Sequence, residues 1–225
     1  MLSYKKHSLS MILTSLLVFV GGCATESHRK VVSQSVETYG TQFHGEKTTL
    51  VVGSFENRSG YLRGMFSSDV DRLGNQAKTI LKTHLQQTGR FKVVDRENMK
   101  RLVEEAKLSG VSQELQGARY VVTGDVTEFG RKVSGDQQLF GILGSGKKQT
   151  AYAKVSLNVV DVVTSEIVYS IQGAGEYALS NREIIGFGGT AGYDATLNGK
   201  VLNFAIQEAV NNIARDLESG KLKIQ

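Results

Sequence analysis

The segment AYAKVSLNVVDVVTSEIVYSIQGAGEYAL, residues 151–179, contains two runs of β-branched, aromatic and small residues. The runs 151–163 and 167–179 are separated only by Thr164, Ser165 and Glu166. Runs of this composition around a short polar turn are typical of a β-hairpin. The segment therefore predicts two long antiparallel strands, so the sheet that contains them is not all parallel.

Strands and helices alternate on the N-terminal side of this hairpin. The predicted elements there are a strand at 48–55, a helix at 69–88, a strand at 91–95, a helix at about 96–108 and a strand at 118–129. After the hairpin, residues 197–217 carry an apolar stripe at helical spacing, which predicts an amphipathic helix. This order predicts an α+β or α/β sandwich, in which helices pack on a mixed sheet.

The N-terminus has the layout of a bacterial lipoprotein signal. Lys5 and Lys6 precede an apolar run at 11–20, and Gly21 and Gly22 precede the only cysteine, Cys23. A basic start, a short apolar run and small residues before the cleavage point define a secretory signal peptide. We expect residues 1–22 to be removed and Cys23 to be lipidated. An ordinary cleaved signal with an incidental cysteine, or a signal anchor, is the alternative.

The rest of the chain fits a single exported domain. Polar residues 23–46 predict a tether, partly ordered against the folded domain, and residues 47–225 are numerous enough for one stable core.

Ala24 follows the cysteine instead of the aspartate that retains lipoproteins at the inner membrane, so we expect the protein to be anchored at the periplasmic face of the outer membrane. The net charge of +5 falls to +3 without Lys5 and Lys6, and nucleic-acid binding has little support.

Signatures of catalysis are weak. GILGSGKK at 141–148 approaches a phosphate-binding loop, but Lys148 replaces the hydroxyl residue and a strand pattern follows instead of a helix. His28, His44 and His84 lack metal-ligand spacing. We expect no catalytic residue, no metal and no cofactor.

In two segments, at about 130–156 and 175–197, apolar and polar residues alternate as they do in long β-hairpins. Their candidate membrane-facing residues are Val133, Leu139, Ala151, Ala153, Val155, Phe187, Ala191, Tyr193 and Ala195. About 9–11 alternating residues cross a bilayer as a tilted strand. Hairpins from a ring of subunits would close a shared barrel without free edges. The same pattern also fits hairpins that extend a soluble sheet and pack on helices.

The order of these features resembles the CsgG/HfaB family of outer-membrane lipoproteins over about 48–220. The resemblance rests on the lipobox at Cys23, GSFENRSG at 53–60, FKVVDR at 91–96, ARYVVTGD at 118–125 and KVSLNVVDVVTSEI at 154–167. It implies a homo-oligomeric ring with a shared transmembrane barrel and a pore-narrowing loop at 61–69. The candidate constriction residues are Tyr61, Met65, Phe66 and Asp69.

The resemblance therefore implies a non-enzymatic, ring-forming subunit for curli-type export or holdfast-type anchoring. Accessory lipoproteins and an exported protein are the partners it implies. A second class stays open, since LpoB-type activators of peptidoglycan synthases are tethered lipoproteins with a related fold that dock on a cell-envelope partner. Under that interpretation the hairpins are sheet extensions or docking surfaces.

Overall fold

The computed structural model describes residues 34–61, 71–137, 145–183 and 196–224. Residues Ser35–Gln225 form one compact unit. The elements within the described ranges are β1 (Thr48–Asn57), α1 (Arg72–Gln87), β2 (Phe91–Val94), α2 (Met99–Leu108), β3 (Tyr120–Gln137), β4 (Ser145–Asp161), β5 (Ile167–Glu183) and α3 (Thr196–Glu218).

The five strands form one mixed sheet in the order β2-β1-β3-β4-β5. β1 pairs in parallel with β2 and with β3, whereas β3 with β4 and β4 with β5 are antiparallel. The mixed sheet packed by helices is confirmed. Within the described residues, β2 and β5 are the two edge strands, and β5 is the longer by far.

Helices α1 and α3 cover one face of the sheet and pack their buried side chains against those of the strands. Leu81 and Leu85 of α1 are fully buried, as are Leu202 and Ile206 of α3. Burying a side chain of this size stabilises the fold by about 1.5–3 kcal/mol. The apolar stripe predicted at 197–217 is therefore the main packing surface of the last helix.

Helix α3 approaches β5 unusually closely at two glycines. A β-carbon on Gly173 would lie 2.1 Å from the carbonyl oxygen of Ala205 and 2.7 Å from the backbone nitrogen of Ala209. A β-carbon on Gly175 would lie 2.7 Å from the carbonyl oxygen of Val201. The GAG sequence in β5 thus allows backbone-to-backbone packing of helix and strand.

The β4–β5 turn is built around the buried carboxylate of Asp161. Its Oδ1 accepts a hydrogen bond of 2.8 Å from the backbone N–H of Val163 and one of 3.3 Å from that of Thr164. Its Oδ2 accepts one of 3.0 Å from Nε of Arg119. Ser165 takes the left-handed conformation, with φ of 60°. These bonds explain why a polar T-S-E turn joins two long strands.

Part of the predicted tether packs against the body. Val36 is buried, and the amide of Gln207 donates to the carbonyl of Ser35 at 2.6 Å. The buried guanidinium of Arg90 donates from Nη1 to the carbonyl oxygens of Thr38 and Thr41 at 3.3 and 3.2 Å. The expected partial order of the segment 23–46 is thus confirmed from Ser35 onward.

The C-terminal segment also closes the core. Leu222 and Ile224 are buried, and the hydroxyl of Thr48 donates to the carbonyl oxygen of Ile224 at 2.9 Å. None of the helices in the described ranges combines the length and apolar character needed to cross a membrane.

Candidate functional site

Strands β3, β4 and β5 continue past the end of β1 as a three-stranded ribbon. The last residue of β1 with a strand partner, Asn57, lies opposite Val126, whereas the β3–β4 ladder continues to Gln137 opposite Ser145. The β4–β5 ladder reaches equally far, to Ser145 opposite Glu183. The first predicted hairpin is therefore confirmed, and it starts earlier than 130 because both of its strands belong to the central sheet.

The predicted membrane-facing stripe of β4 lies in the protein core. Ala151, Ala153 and Val155 are 0%, 2% and 0% exposed. They alternate with half-exposed Tyr152 and belong to the same buried cluster as Ala205 and Ala209 of α3. The prediction that these three side chains face lipid is wrong, because the helix already covers them.

The sequence of β4 near the tip of the ribbon is polar. Residues 145–150 read SGKKQT. Val133 lies in β3 opposite Gln149, and nothing is described of its side chain. Leu139, Phe187, Ala191, Tyr193 and Ala195 lie outside the described residues.

The second predicted hairpin has a confirmed first strand and a wrong end. Residues 175–183 belong to β5, as expected. The hairpin was predicted to end at about 197, where the last helix was also predicted to begin, and that helix, α3, begins at Thr196. The predicted strand extended into the first turn of the helix, because alternating small residues and threonines fit that turn equally well.

The predicted pore loop is held at its two ends by Asp71. Asp71 Oδ2 accepts from the backbone N–H of Asn57 at 2.6 Å, and Oδ1 accepts from that of Gly74 at 2.8 Å. One carboxylate therefore ties the end of β1 to the first turn of α1, whose free N–H groups favour a negative charge. The helix predicted from Asp69 begins at Arg72, because Asp71 serves as the N-cap.

Tyr61 lies at the base of this loop. Its ring is 4.7 Å from that of Phe129 between centroids, and its hydroxyl accepts a hydrogen bond of 3.2 Å from Nδ2 of Asn198. Its carbonyl accepts from Nδ2 of Asn57 at 2.9 Å. Met65, Phe66 and Asp69, the other predicted constriction residues, lie outside the described residues.

The loop base and the ribbon occur at the same end of the sheet. Phe129, which contacts Tyr61, is the residue of β3 just before the ribbon leaves the body. Sequence reasoning missed the anchoring roles of Asn57, Asp71 and Asn198. An aspartate directly before a helical pattern was the available signal for Asp71.

The residues that the sequence offered as candidates for catalysis have structural roles wherever the structure describes them. Gly146 to Lys148 lie in β4, so no helix follows the glycine-rich segment there. The buried His84 ring lies between two amide oxygens, 3.1 Å from Oε1 of Gln87 and 2.9 Å from Oδ1 of Asn203. In the described part of the chain, no cluster of three or more His, Cys, Asp or Glu side chains is placed to hold a metal ion. Cys23 lies outside that part.

Residues 32–223 match the family described as "Curli production assembly/transport component CsgG". A protein of Neisseria meningitidis serogroup B, named "Putative lipoprotein NMB1126/NMB1164", is 61% identical over 216 residues, which cover 96% of this chain and 97% of that protein.

Solved structures with a similar fold are more distant. The PelC dodecamer from Paraburkholderia phytofirmans has 16% identity and a TM-score of 0.36, over 73% of this chain and 87% of that one. Lipoprotein GNA1162 from N. meningitidis has 14% identity and a TM-score of 0.35, over 76% and 99%. The LpoB C-terminal domain from Salmonella enterica has 18% identity and a TM-score of 0.30, over 58% and 85%.

Proposed function

Because this chain belongs to the CsgG family, we propose that it is a lipoprotein without catalytic activity whose copies assemble into a ring for secretion or surface assembly. Lipidation at Cys23 would tether each copy to the periplasmic face of the outer membrane. The 61% identical Neisseria relative, itself named a lipoprotein, supports the tether. The exported substrate and any accessory lipoprotein are partners that this proposal requires.

The projecting ribbon of β3, β4 and β5 is the observation that supports the ring. Beyond β1, the β3–β4 ladder runs for ten register pairs, from Glu128↔Lys154 to Gln137↔Ser145. A ribbon of this kind has free edges, and joining ribbons from neighbouring copies would pair them. In this proposal the part of each ribbon beyond α3 contributes to a shared barrel.

The loop between Tyr61 and Asp71 is the proposed pore-narrowing element. Its base lies beside Phe129, where the ribbon begins, so in a ring the loops of all copies would surround the opening of the barrel. Tyr61 itself is packed at the base, so Met65, Phe66 and Asp69 are the proposed constriction residues.

A tethered adaptor that docks on a cell-envelope partner is the second candidate. The burial of Ala151, Ala153 and Val155 favours it, together with the polar sequence SGKKQT at 145–150. Lipid-facing strands require an outward apolar band, which those residues do not provide. In this alternative the ribbon is a soluble extension of the sheet.

The two functions are separated by a Cys23→Ser protein that is exported with a cleavable signal peptide and mixed with liposomes. Light scattering and negative-stain microscopy measure particle size, and planar-bilayer recording measures conductance. Large rings with stable conductance steps would support the channel. A monodisperse monomer without conductance, seen also for the lipidated wild-type protein in mild detergent, would exclude the ring and favour the adaptor.

A further inference from the structure

Helix α2 is amphipathic but has no buried residue. Met99, Leu102, Val103 and Ala106 share one face, and Leu102 is 41% exposed. An apolar helical face normally packs against another element. Among the described residues, none of the other elements makes an extensive contact with α2. Met99, Val103 and Ala106 are half-buried, so the apolar surface that is available to another molecule centres on Leu102.

Two lysines border this face on one side. Lys100 and Lys107 are seven residues apart, which places them on the same side of the helix, and both are exposed. Neither forms an ion pair among those of the described residues. The docking surface of α2 thus combines an apolar stripe with an unneutralised positive margin.

An acidic groove lies along β5, the edge strand at the other side of the sheet. The groove has a volume of about 470 Å³ and lies between β5 and α3. Three carboxylates and one cation line it, so its net charge is negative: Glu37, Glu176, Glu208 and Arg215. Ala174, Gly175 and Phe204 lie among them, beside amide side chains of α3. Glu208 accepts a hydrogen bond of 2.6 Å from the backbone N–H of Ala174, which points away from β4.

We infer that α2 of one copy docks into the β5–α3 groove of the next copy. The positive margin of α2 matches the net negative charge of the groove, and the apolar stripe matches the ring of Phe204 at its centre. Because α2 follows one edge strand and the groove borders the other, the contact is head-to-tail and repeats from copy to copy. This inference rests on the proposed ring and identifies its contact surfaces.

Charge reversal on each surface tests the contact in the lipidated full-length protein in mild detergent, with mass measured by light scattering. The variants Lys100→Glu/Lys107→Glu and Glu176→Lys/Glu208→Lys each place like charges opposite one another. We expect each to weaken association at least about tenfold. The four substitutions together restore opposite charges, so we expect the wild-type mass to return.

Arg58→Glu/Glu56→Arg is the matched control, since it reverses an exposed ion pair whose residues line neither surface. Circular dichroism checks whether Glu208→Lys disturbs folding. If it does, the Lys100→Glu/Lys107→Glu variant still decides the result, because its substitutions lie on an exposed helix. A wild-type oligomer that both reversals leave intact would overturn the inference and leave the ring standing. A wild-type monomer would overturn the proposed ring, and the inference with it.

Discussion

Gly173 fixes the spacing between β5 and α3, because the backbone of the helix occupies the place of a side chain. For Gly173→Ala we predict a loss of about 3 kcal/mol in the free energy of unfolding, since the new methyl group meets backbone atoms that cannot turn away. Urea unfolding followed by circular dichroism measures it. Gly117→Ala is the control, because a β-carbon there meets nothing within 4 Å, and we expect a change below about 1 kcal/mol. Equal stability of the two variants would refute the close packing.

Asp161 makes stability depend on pH. Hydrogen bonds from the Val163 backbone N–H, then from Arg119 and Thr164, lower the pKa of its carboxyl group below the ordinary value. The folded pKa is lower than the unfolded one, about 3.9, so the carboxylate stabilises the fold above that pH, and the contribution disappears as pH falls through the folded pKa.

For Asp161→Asn we therefore predict lower stability than wild type at pH 7 and a difference that shrinks below about pH 4. Urea midpoints between pH 3 and 7 measure this. Glu128→Gln controls for the loss of one exposed carboxylate. A difference between Asp161→Asn and wild type that stays constant over this range would contradict the role given to the charge.

At the same residue scale, alternation in β4 predicted which side chains share a face but not what covers that face. Ala151, Ala153 and Val155 form an apolar face that is shielded from water. A helix shields such a face as well as lipid does. Their partners in α3 follow about fifty residues later in the chain. A local pattern carries no information about a partner at that distance.

Among the elements, the C-terminal part of the segment 35–41 is anchored by one side chain, Arg90. Arg90 is 4% exposed and joins the carbonyls of Thr38 and Thr41 to Glu218 at the end of α3. We predict that Arg90→Lys raises amide hydrogen exchange in this segment at least about tenfold, because an ammonium cannot reproduce the planar fork of bonds. Mass spectrometry measures the exchange.

Arg215→Lys is the control for the Arg90 prediction. Arg215 pairs with Glu37 of the same segment, but both side chains are exposed, so we expect little effect. Faster exchange in Arg215→Lys than in Arg90→Lys would show that the segment is held by its exposed pair.

The elements themselves were largely predictable from the sequence, and their ends were less so. The helices expected at 69–88 and 96–108 occupy Arg72–Gln87 and Met99–Leu108. The carboxylate of Asp71 accepts from the N–H of Gly74 in the first turn of its helix, and that of Asp95 accepts from the N–H of Glu97 ahead of the next one, so both helices start later than predicted. Strand ends such as Asn57 depend on contacts with Asp71 that the local sequence does not show.

At the scale of the whole molecule, the two ends of the described chain close the same domain. Leu222 and Ile224 belong to the core, and Thr48 at the start of β1 is bonded to Ile224. For Leu222→Ala/Ile224→Ala we predict a loss of about 4 kcal/mol or more, because each truncation of a buried aliphatic side chain costs about 2–5 kcal/mol. Chemical unfolding measures it against Lys223→Ala, an exposed neighbour for which we expect almost no change. Wild-type stability in the double variant would show that the C-terminal segment is not part of the fold.

The clamp formed by Asp71 has a consequence for protein engineering. Because Asn57 and Gly74 are joined through one carboxylate, the chain between Tyr61 and Asp71 begins and ends at fixed points. Doubling the length of a flexible insert adds only about 0.6 kcal/mol of closure entropy. We therefore expect foreign peptides inserted between these two anchors, including epitope tags, to change the stability of the domain little as their length increases.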